Sequence, residues 1–334
     1  MSFDLATVWA GIIAFAVLAY VVLDGFDLGV GILFPFCKDE GDRDVMMNSV
    51  APIWDGNETW LVLGGGGLFA VFPLAYSIVM PALYTPIIAM LLGLTFRGVA
   101  FEFRWRTRRG KFVWDFAFCA GSALAAFAQG VALGALVQGI AVKGRAYAGG
   151  SWDWLTPFSL LTGAAVTVGF ALLGATWLVW KTSGDLQRRM HGVARLTGAA
   201  TLLLIGLVSA WTPFLNPVYM QRWFAAPTIY FAWPVPVLVA CCAFALFKSL
   251  ESTRDAQAFL AALGLFVLSF IGIGISFYPY IVPPSVLISA AAAPENSMRF
   301  LLAGAAVLLP VILIYTAVSY WIFRGKVDPA GHYH

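Results

Sequence analysis

LATVWAGIIAFAVLAYVVLDGFDLGVGILFPF, residues 5 to 36, is an apolar run whose only charged side chains are Asp24 and Asp27. About 20 apolar residues in a helix cross the hydrocarbon layer of a bilayer, so this stretch is long enough to span one. The rest of the chain has the same character. Of its 334 residues, 61% are hydrophobic and 11% charged, whereas soluble domains carry roughly 25% charged residues. A soluble globular fold is excluded. A membrane β-barrel is excluded too, because the apolar segments are continuous rather than alternating.

Apolar runs bounded by charges or by Pro and Gly clusters predict spans near 5–36, 50–72, 80–102, 113–140, 157–180, 195–213, 231–248, 257–280 and 299–323. The expectation is an all-α integral membrane protein of about nine transmembrane helices. No repeat of 20 to 50 residues and no low-complexity linker divides it, so residues 1–334 read as a single polytopic membrane domain. Met1-Ser2-Phe3-Asp4 runs into the first span without a basic leader or a cleavage site, which reads as a retained helix.

If the first span starts outside, 15 of the 20 basic residues fall on the cytoplasmic side: Lys38, Arg43, Arg104, Arg106, Arg108, Arg109, Lys111, Lys181, Arg188, Arg189, Arg195, Lys248, Arg254, Arg324 and Lys326. The other side holds Lys143, Arg145, Arg222 and Arg299, and Arg97 lies within the third span. The positive-inside rule therefore puts the N-terminus outside and the C-terminus in the cytoplasm. A net charge of +3, already accounted for by those loops, gives no reason to expect nucleic acid as a partner. Cys37, Cys119, Cys241 and Cys242 form no CxxC and read as small apolar fillers. Trp9, Trp105, Trp114, Trp152, Trp154, Trp211, Trp223 and Trp321 fall near span ends, as interfacial anchors do.

Asp24 and Asp27 lie inside the first span, and Asp55 and Glu58 lie in the first turns of the second. Each pair is three residues apart and shares a helix face. All four carboxylates, with Arg97, are expected in the cytoplasmic third of the bilayer. An ionised group at a helix centre costs about 2.5–3.5 kcal/mol, and one arginine answers at most two of four carboxylates. Part of the cluster must therefore hold protons or meet water, an arrangement suited to proton uptake. A structural reading stands beside this one. With Pro52 as a first helical residue, Asp55 and Glu58 would stabilise a helix N-terminus, and Asp24 and Asp27 would lock the first helices to Arg97. Gly25, Gly29 and Gly31, and the run Gly64 to Gly67, suit close helix packing.

The chain's three histidines are His191, in an expected cytoplasmic loop, and His332 and His334 near the C-terminus. None lies in an expected span, so no intramembrane haem held by two histidines of this chain and no imidazole copper site is expected. Met80, Met90 and Met298 are the candidates for methionine ligation, against the commoner role of methionine as a gap filler. No dinucleotide fingerprint, P-loop, nucleophile elbow or zinc-protease motif occurs in usable context.

The residues Asp24-Gly25-Phe26-Asp27-Leu28-Gly29-Val30-Gly31 and Trp54-Asp55-Gly56-Asn57-Glu58-Thr59-Trp60 resemble subunit II of cytochrome bd quinol oxidases. The resemblance continues through Phe96-Arg97-Gly98 to Arg104, Pro157-Phe158-Ser159, Gly174-Ala175-Thr176-Trp177 and Phe277-Tyr278-Pro279-Tyr280, and into the last span at Leu309-Pro310 to Ala317. It implies a complex of the bacterial cytoplasmic (inner) membrane that oxidises quinol and reduces O2 to water. In that family subunit I ligates two b-type haems and haem d and receives the quinol. Subunit II is its pseudo-symmetric partner of nine helices, ligating no metal. Some members hold a structural quinone in subunit II, and some complexes carry small single-helix accessory subunits. The family places the aspartate corresponding to Asp55 near the subunit interface on a proposed proton route, and Asp27 and Arg97 match other motif positions. One branch is the cyanide-insensitive oxidase, which the short loops here would suit.

Two other functions compete with a haem-free subunit that supports assembly and proton delivery. Intramembrane carboxylates and proline-interrupted helices would fit a proton-coupled secondary transporter, although no inverted repeat is detectable and the carboxylates lie on one side. A purely structural assembly subunit would leave them as packing ion pairs. The sidedness is open to direct test. A reporter active only in the periplasm is expected to work when fused near Ser151 and to fail near Arg108 or after Lys326. The reverse pattern would invert the topology.

Overall fold

A computed structural model of the chain describes residues 4–107, 109–252 and 254–328. Met1 to Phe3, the basic residue Arg108, and His332 and His334 lie outside the described residues. The helices are α1 (Leu5–Leu33), α2 (Glu40–Val50), α3 (Trp54–Val71), α4 (Pro73–Ala82), α5 (Tyr84–Arg106), α6 (Lys111–Gln138) and α7 (Pro157–Lys181). They continue as α8 (Gly184–Leu215), α9 (Pro217–Phe224), α10 (Ile229–Ala232), α11 (Pro234–Leu250), α12 (Asp255–Phe277), α13 (Ile288–Ala291) and α14 (Glu295–Ile322). Two short antiparallel hairpins, β1–β2 (Val142–Lys143, Ala146–Tyr147) and β3–β4 (Tyr280–Val282, Val286–Leu287), decorate one end.

Among the described residues, eight helical stretches are long and apolar enough to cross a membrane: α1 through Phe36, α5, α6, α7, α8, Ile229–Leu250, α12 and α14. The run expected at 50–72 is the departure. It forms α3, only 18 residues long, whose opening turns carry Asp55, Asn57 and Glu58. Phe72 then leaves the helical region and Pro73 starts α4, where its missing N–H costs nothing. Pro52 is not a first helical residue either. It sits in the turn before α3, whose N-cap position is Ile53 with no side-chain cap. The connection after residue 36 is not a plain loop but α2, capped by Asp39 Oδ1 accepting from the Gly41 N–H at 2.7 Å.

His191 is also placed differently from the expected loop, lying in the first turns of α8. At 32 residues and 1.5 Å per residue, that helix is longer than the bilayer core, so its opening turns extend beyond it. Trp9 is no interfacial anchor. It is buried, its Nε1 donating to the Met298 carbonyl at 3.1 Å. Cys37 is buried as a filler would be, whereas Cys241 is exposed.

The bundle has two distinct ends. At one, Trp9, Phe72, Ile78, Val282 and Met298 form an apolar cluster, and the Ala293 N–H donates to the Val71 carbonyl at 2.8 Å. The opposite end carries the basic residues: Lys111 pairs with Glu40, Arg189 with Asp42, and Lys326 with Asp255. The hydrogen bond from Lys111 holds the Glu40 carboxyl below its ordinary range. The main core joins α1, α7 and α12, where Phe26 stacks on Trp177 with ring centroids 4.2 Å apart and Phe259 meets both edge-on.

Lipid tails are as apolar as leucine, so helices in a bilayer associate through close packing. A Cβ on Gly29 would stand 1.8 Å from the Phe170 carbonyl oxygen of α7, one on Gly25 would meet the Phe170 ring at 2.8 Å, and one on Gly31 would meet Ser122 Oγ of α6 at 2.1 Å. The α3 glycines divide. Gly64 and Gly67 face Val17 and Ile13 of α1, whereas the Cβ positions of Gly65 and Gly66 have nothing within 4 Å. Gly29→Ala is therefore expected to cost about 3 kcal/mol or more through overpacking of two backbones. Gly11→Ala, with nothing within 4 Å of its Cβ position, should be tolerated. Thermal unfolding in detergent compares the two, and equal melting temperatures would refute the packing assignment.

Candidate functional site

Asp24 lies nine residues before the end of α1 at Leu33, and Arg97 nine before the end of α5 at Arg106. At 1.5 Å per residue both sit about 14 Å from the basic end. α3 begins at this depth because α2 and the turn after it occupy the space between. Three helices thus bring charge to one level. Arg97, fully buried, donates from one terminal nitrogen to Asp24 Oδ1 at 2.6 Å and from the other to Glu58 Oε2 at 2.8 Å. Asp24 is also fully buried, and Glu58 is about a quarter exposed. Trp54 covers the guanidinium at 5.9 Å and stacks in turn on Phe101 at 4.8 Å.

Asp27, one turn further along α1, is paired with no cation among the described residues. Its Oδ2 accepts from Asn57 Nδ2 at 2.7 Å, the same amide also donates to the Leu23 carbonyl at 3.2 Å, and the Tyr320 hydroxyl of α14 donates to Asn57 Oδ1 at 3.0 Å. Among the described residues the other oxygens of the two aspartates, Asp24 Oδ2 and Asp27 Oδ1, are buried and accept no hydrogen bond of good geometry, although the Tyr20 hydroxyl lies close to Asp24. On the far side of Asp24, Gln129 Nε2 of α6 donates to the Tyr20 hydroxyl at 2.7 Å. Five helices (α1, α3, α5, α6 and α14) therefore contribute polar groups to one connected region.

Asp55 does not belong to this cluster. The buried positions of α3 are Asn57, Trp60, Gly64 and Val71, a stripe of helical spacing. At 100° per residue Asp55 falls about 160° from Asn57, on the opposite face, with Glu58 between them. Asp55 is accordingly exposed, and its backbone carbonyl accepts from Thr59 Oγ1 at 3.0 Å.

A second ionic cluster lies nearer the basic end. Arg104, expected among solvated basic residues, is fully buried between Asp44 of α2 and Asp115 of α6, each at 2.6 Å, and Arg43 joins Asp115 at 2.9 Å. Motif reading quoted Asn57 and Arg104 without assigning them roles. Tyr320, 263 residues from Asn57 in sequence, carried no signal at all.

The three methionine candidates are scattered through the fold, and Met80 is half-buried in α4. Met298 belongs to the apolar end cluster and Met90 packs against the main core. His191 Nε2 lies 3.7 Å from Asp255. Among the described residues, no group of three or more His, Cys, Asp or Glu is arranged to hold a metal ion.

Comparison with known proteins adds an independent line. The family model for cytochrome bd terminal oxidase subunit II matches residues 5–323. The chain is 29% identical to the cytochrome bd-I ubiquinol oxidase subunit 2 of Escherichia coli (strain K12), covering 96% of this chain and 94% of that one. It is also 29% identical to the cytochrome bd ubiquinol oxidase subunit 2 of Bacillus subtilis (strain 168), covering 97% of each. In fold it is similar to a chain of the bd oxidase from Geobacillus thermodenitrificans, with a TM-score of 0.72 at 17% identity over 96% of this chain and 99% of that one. The chain belongs to the family of cytochrome bd terminal oxidase subunit II.

Proposed function

We propose that this chain is the haem-free subunit II of a quinol:O2 oxidoreductase in the bacterial cytoplasmic membrane. In this reading it pairs with a haem-bearing subunit I, supports its assembly and carries protons from the cytoplasm toward it. The observation that carries the reading is the imbalance in the buried cluster. Arg97 is shared by Asp24 and Glu58, while Asp27 has only an amide partner. Three carboxylates facing one guanidinium at membrane depth require protons or water among them, which is what a proton-conducting group needs. In this reading α3 counts as the ninth span, the basic end faces the cytoplasm, and the outward face of α3 turns Asp55 toward subunit I. Quinol oxidation and the two b-type haems and haem d belong to subunit I. Accessory single-helix subunits, where present, attach to the assembled complex, and a structural quinone, where present, is held within this subunit. Proton-coupled transport as an independent activity is the weaker reading, since the polar chain through Asp27, Asn57 and Tyr320 ends against α14 rather than crossing between two halves.

Two substitutions separate conduction from scaffolding. Asp55→Asn keeps size and hydrogen bonding and removes the titratable proton. The assembled complex is expected to retain its haem spectrum while quinol-driven oxygen consumption falls at least tenfold. Wild-type turnover in that complex would defeat the proton-route assignment. Arg97→Gln deletes both buried ion pairs and leaves Asp24 unanswered, which costs about 3–5 kcal/mol. Its expected signature is loss of assembled complex on size exclusion, and a stable, fully assembled Arg97→Gln complex would show that the pairs are not what holds α1, α3 and α5 together.

A further inference from the structure

Between α6, α7, α8, α11 and α12 the chain leaves a cavity of about 600 Å³, walled by apolar side chains such as Leu133, Leu202, Val239 and Ile273. That volume is within the range of small-molecule sites. Its wall hydroxyls have little to offer a polar ligand. Thr162, Thr212, Ser269 and Ser276 each donate to the carbonyl four residues back, at 2.6 to 2.8 Å, and Trp223 Nε1 donates to Ser276 Oγ at 2.8 Å. Ser209, on the exposed side of α8, makes no such bond. Beside the cavity a shallower depression of about 310 Å³ opens outward. It shares Ser209, Trp223 and Phe224 with the cavity and adds Phe214 and Met220.

Arg222 precedes Trp223, which lines both spaces, in α9, and its guanidinium lies beside Ile275 of the cavity wall. It donates to the Ile275 carbonyl at 3.3 Å and lies 5.9 Å over the Tyr280 ring. Among the described residues no carboxylate pairs with it, in contrast to Arg97 and Arg104, each held by two. A guanidinium has five N–H donors in a planar fork that matches a phosphate, so most of this one is unspent. It lies between the candidate spans α8 and Ile229–Leu250, at the level where lipid headgroups meet a membrane protein. One cation with spare donors beside two adjoining apolar spaces has the shape of an amphiphile with an anionic head and two chains.

We propose that this is a phospholipid site, with one acyl chain in the cavity between α8, α11 and α12, the second along the outer depression, and the phosphate on Arg222. The site is independent of the proton-route reading. A single-tailed quinone could accept from the guanidinium through a carbonyl but would bring it no charge and leave the outer depression empty.

The test uses the protein purified from membranes in detergent, with whatever subunits accompany it. After delipidation it is titrated with dioleoylphosphatidylglycerol, dioleoylglycerol or a long-chain quinone, and occupancy is read by native mass spectrometry. One tightly retained phosphatidylglycerol is expected, with the phosphate-free dioleoylglycerol binding more weakly. Arg222→Gln should lower phosphatidylglycerol retention about fivefold, the scale of one arginine at a lipid phosphate, and leave dioleoylglycerol unchanged. Gly206→Leu, which adds bulk to the cavity wall where no atom lies within 4 Å of the Cβ position, should lower both. Equal phosphatidylglycerol retention in wild type and Arg222→Gln would overturn the proposal. So would preferential retention of the quinone, or full lipid retention in Gly206→Leu.

Discussion

A guanidinium with no exposed surface, set about 14 Å inside the end of its helix, has to be answered by groups that other helices bring to the same depth. Arg97 imposes that requirement on this chain. Asp24 must face it from α1 and Glu58 from α3, which fixes the rotation of both helices and the level at which α3 starts. The rest follows from those positions. With Asp24 turned toward α5, the α1 face bearing Gly25 and Gly29 is set against α7, and Gly29 can approach the Phe170 carbonyl because it has no Cβ. With Glu58 toward Arg97, Asn57 turns to Asp27 and to Tyr320 of α14. Buried ion pairs contribute little net stability once desolvation is counted, but removing one partner is expensive. The cluster therefore acts on specificity, penalising every arrangement in which α1, α3 and α5 are out of register.

Hydrophobic length was legible in sequence wherever helices are uniformly apolar, because a span of 20 or more residues needs no tertiary context to be recognised. Between residues 50 and 82 it marked the helix but not its ends: α3 opens with polar residues at Trp54, and an unwound Phe72 followed by Pro73 separates it from α4. Hydropathy averaged over a window cannot separate a span from two helices meeting at a corner. The same insensitivity passed over α2, a helix too short and polar for a span, which is held by the Asp39 cap, by ionic contacts to α5 and α6, and by Met46, Met47 and Val50 buried in the main core. Gly65 and Gly66 show the limit for glycines. A run of four must include positions on both sides of a helix, and only Gly64 and Gly67 meet α1.

The charged groups of the site were visible because charge within an apolar run is conspicuous. Their partners were not, since Asn57 and Tyr320 are ordinary residues until a fold joins positions 263 apart. Arg104 was hidden for the opposite reason. It lies among Arg106, Arg108 and Arg109 in a stretch that sidedness alone explains, yet it is buried between Asp44 and Asp115 while Arg106 is mostly exposed. A basic segment at a helix end thus mixes solvated charges with a structural one, and only the position of the acidic partners on α2 and α6 tells them apart.

Asp55 and Glu58 illustrate how much a small rotation decides. Three residues separate them, which places them within about 60° on the helix and made them look like one pair. α3 presents its buried stripe at Asn57, Trp60 and Gly64, so that rotation is enough to carry Glu58 into contact with Arg97 and leave Asp55 outside. A carboxylate on the outer face of a helix at membrane depth has no stable place against lipid. Either water reaches it or a second polypeptide covers it. α14, packed beside α3 with Tyr315 within 3.6 Å of the Cβ position at Gly56, exposes Val311, Ile314, Tyr315 and Val318 along one side. Asp55 is therefore bordered by a broad apolar face, and a partner docked there would remove the carboxylate from lipid and bring it next to its own polar groups. In the proposed reading the inner cluster both holds the helices and takes up protons, and the step to the partner subunit runs from Glu58 around the turn of α3 to Asp55 on its outer face.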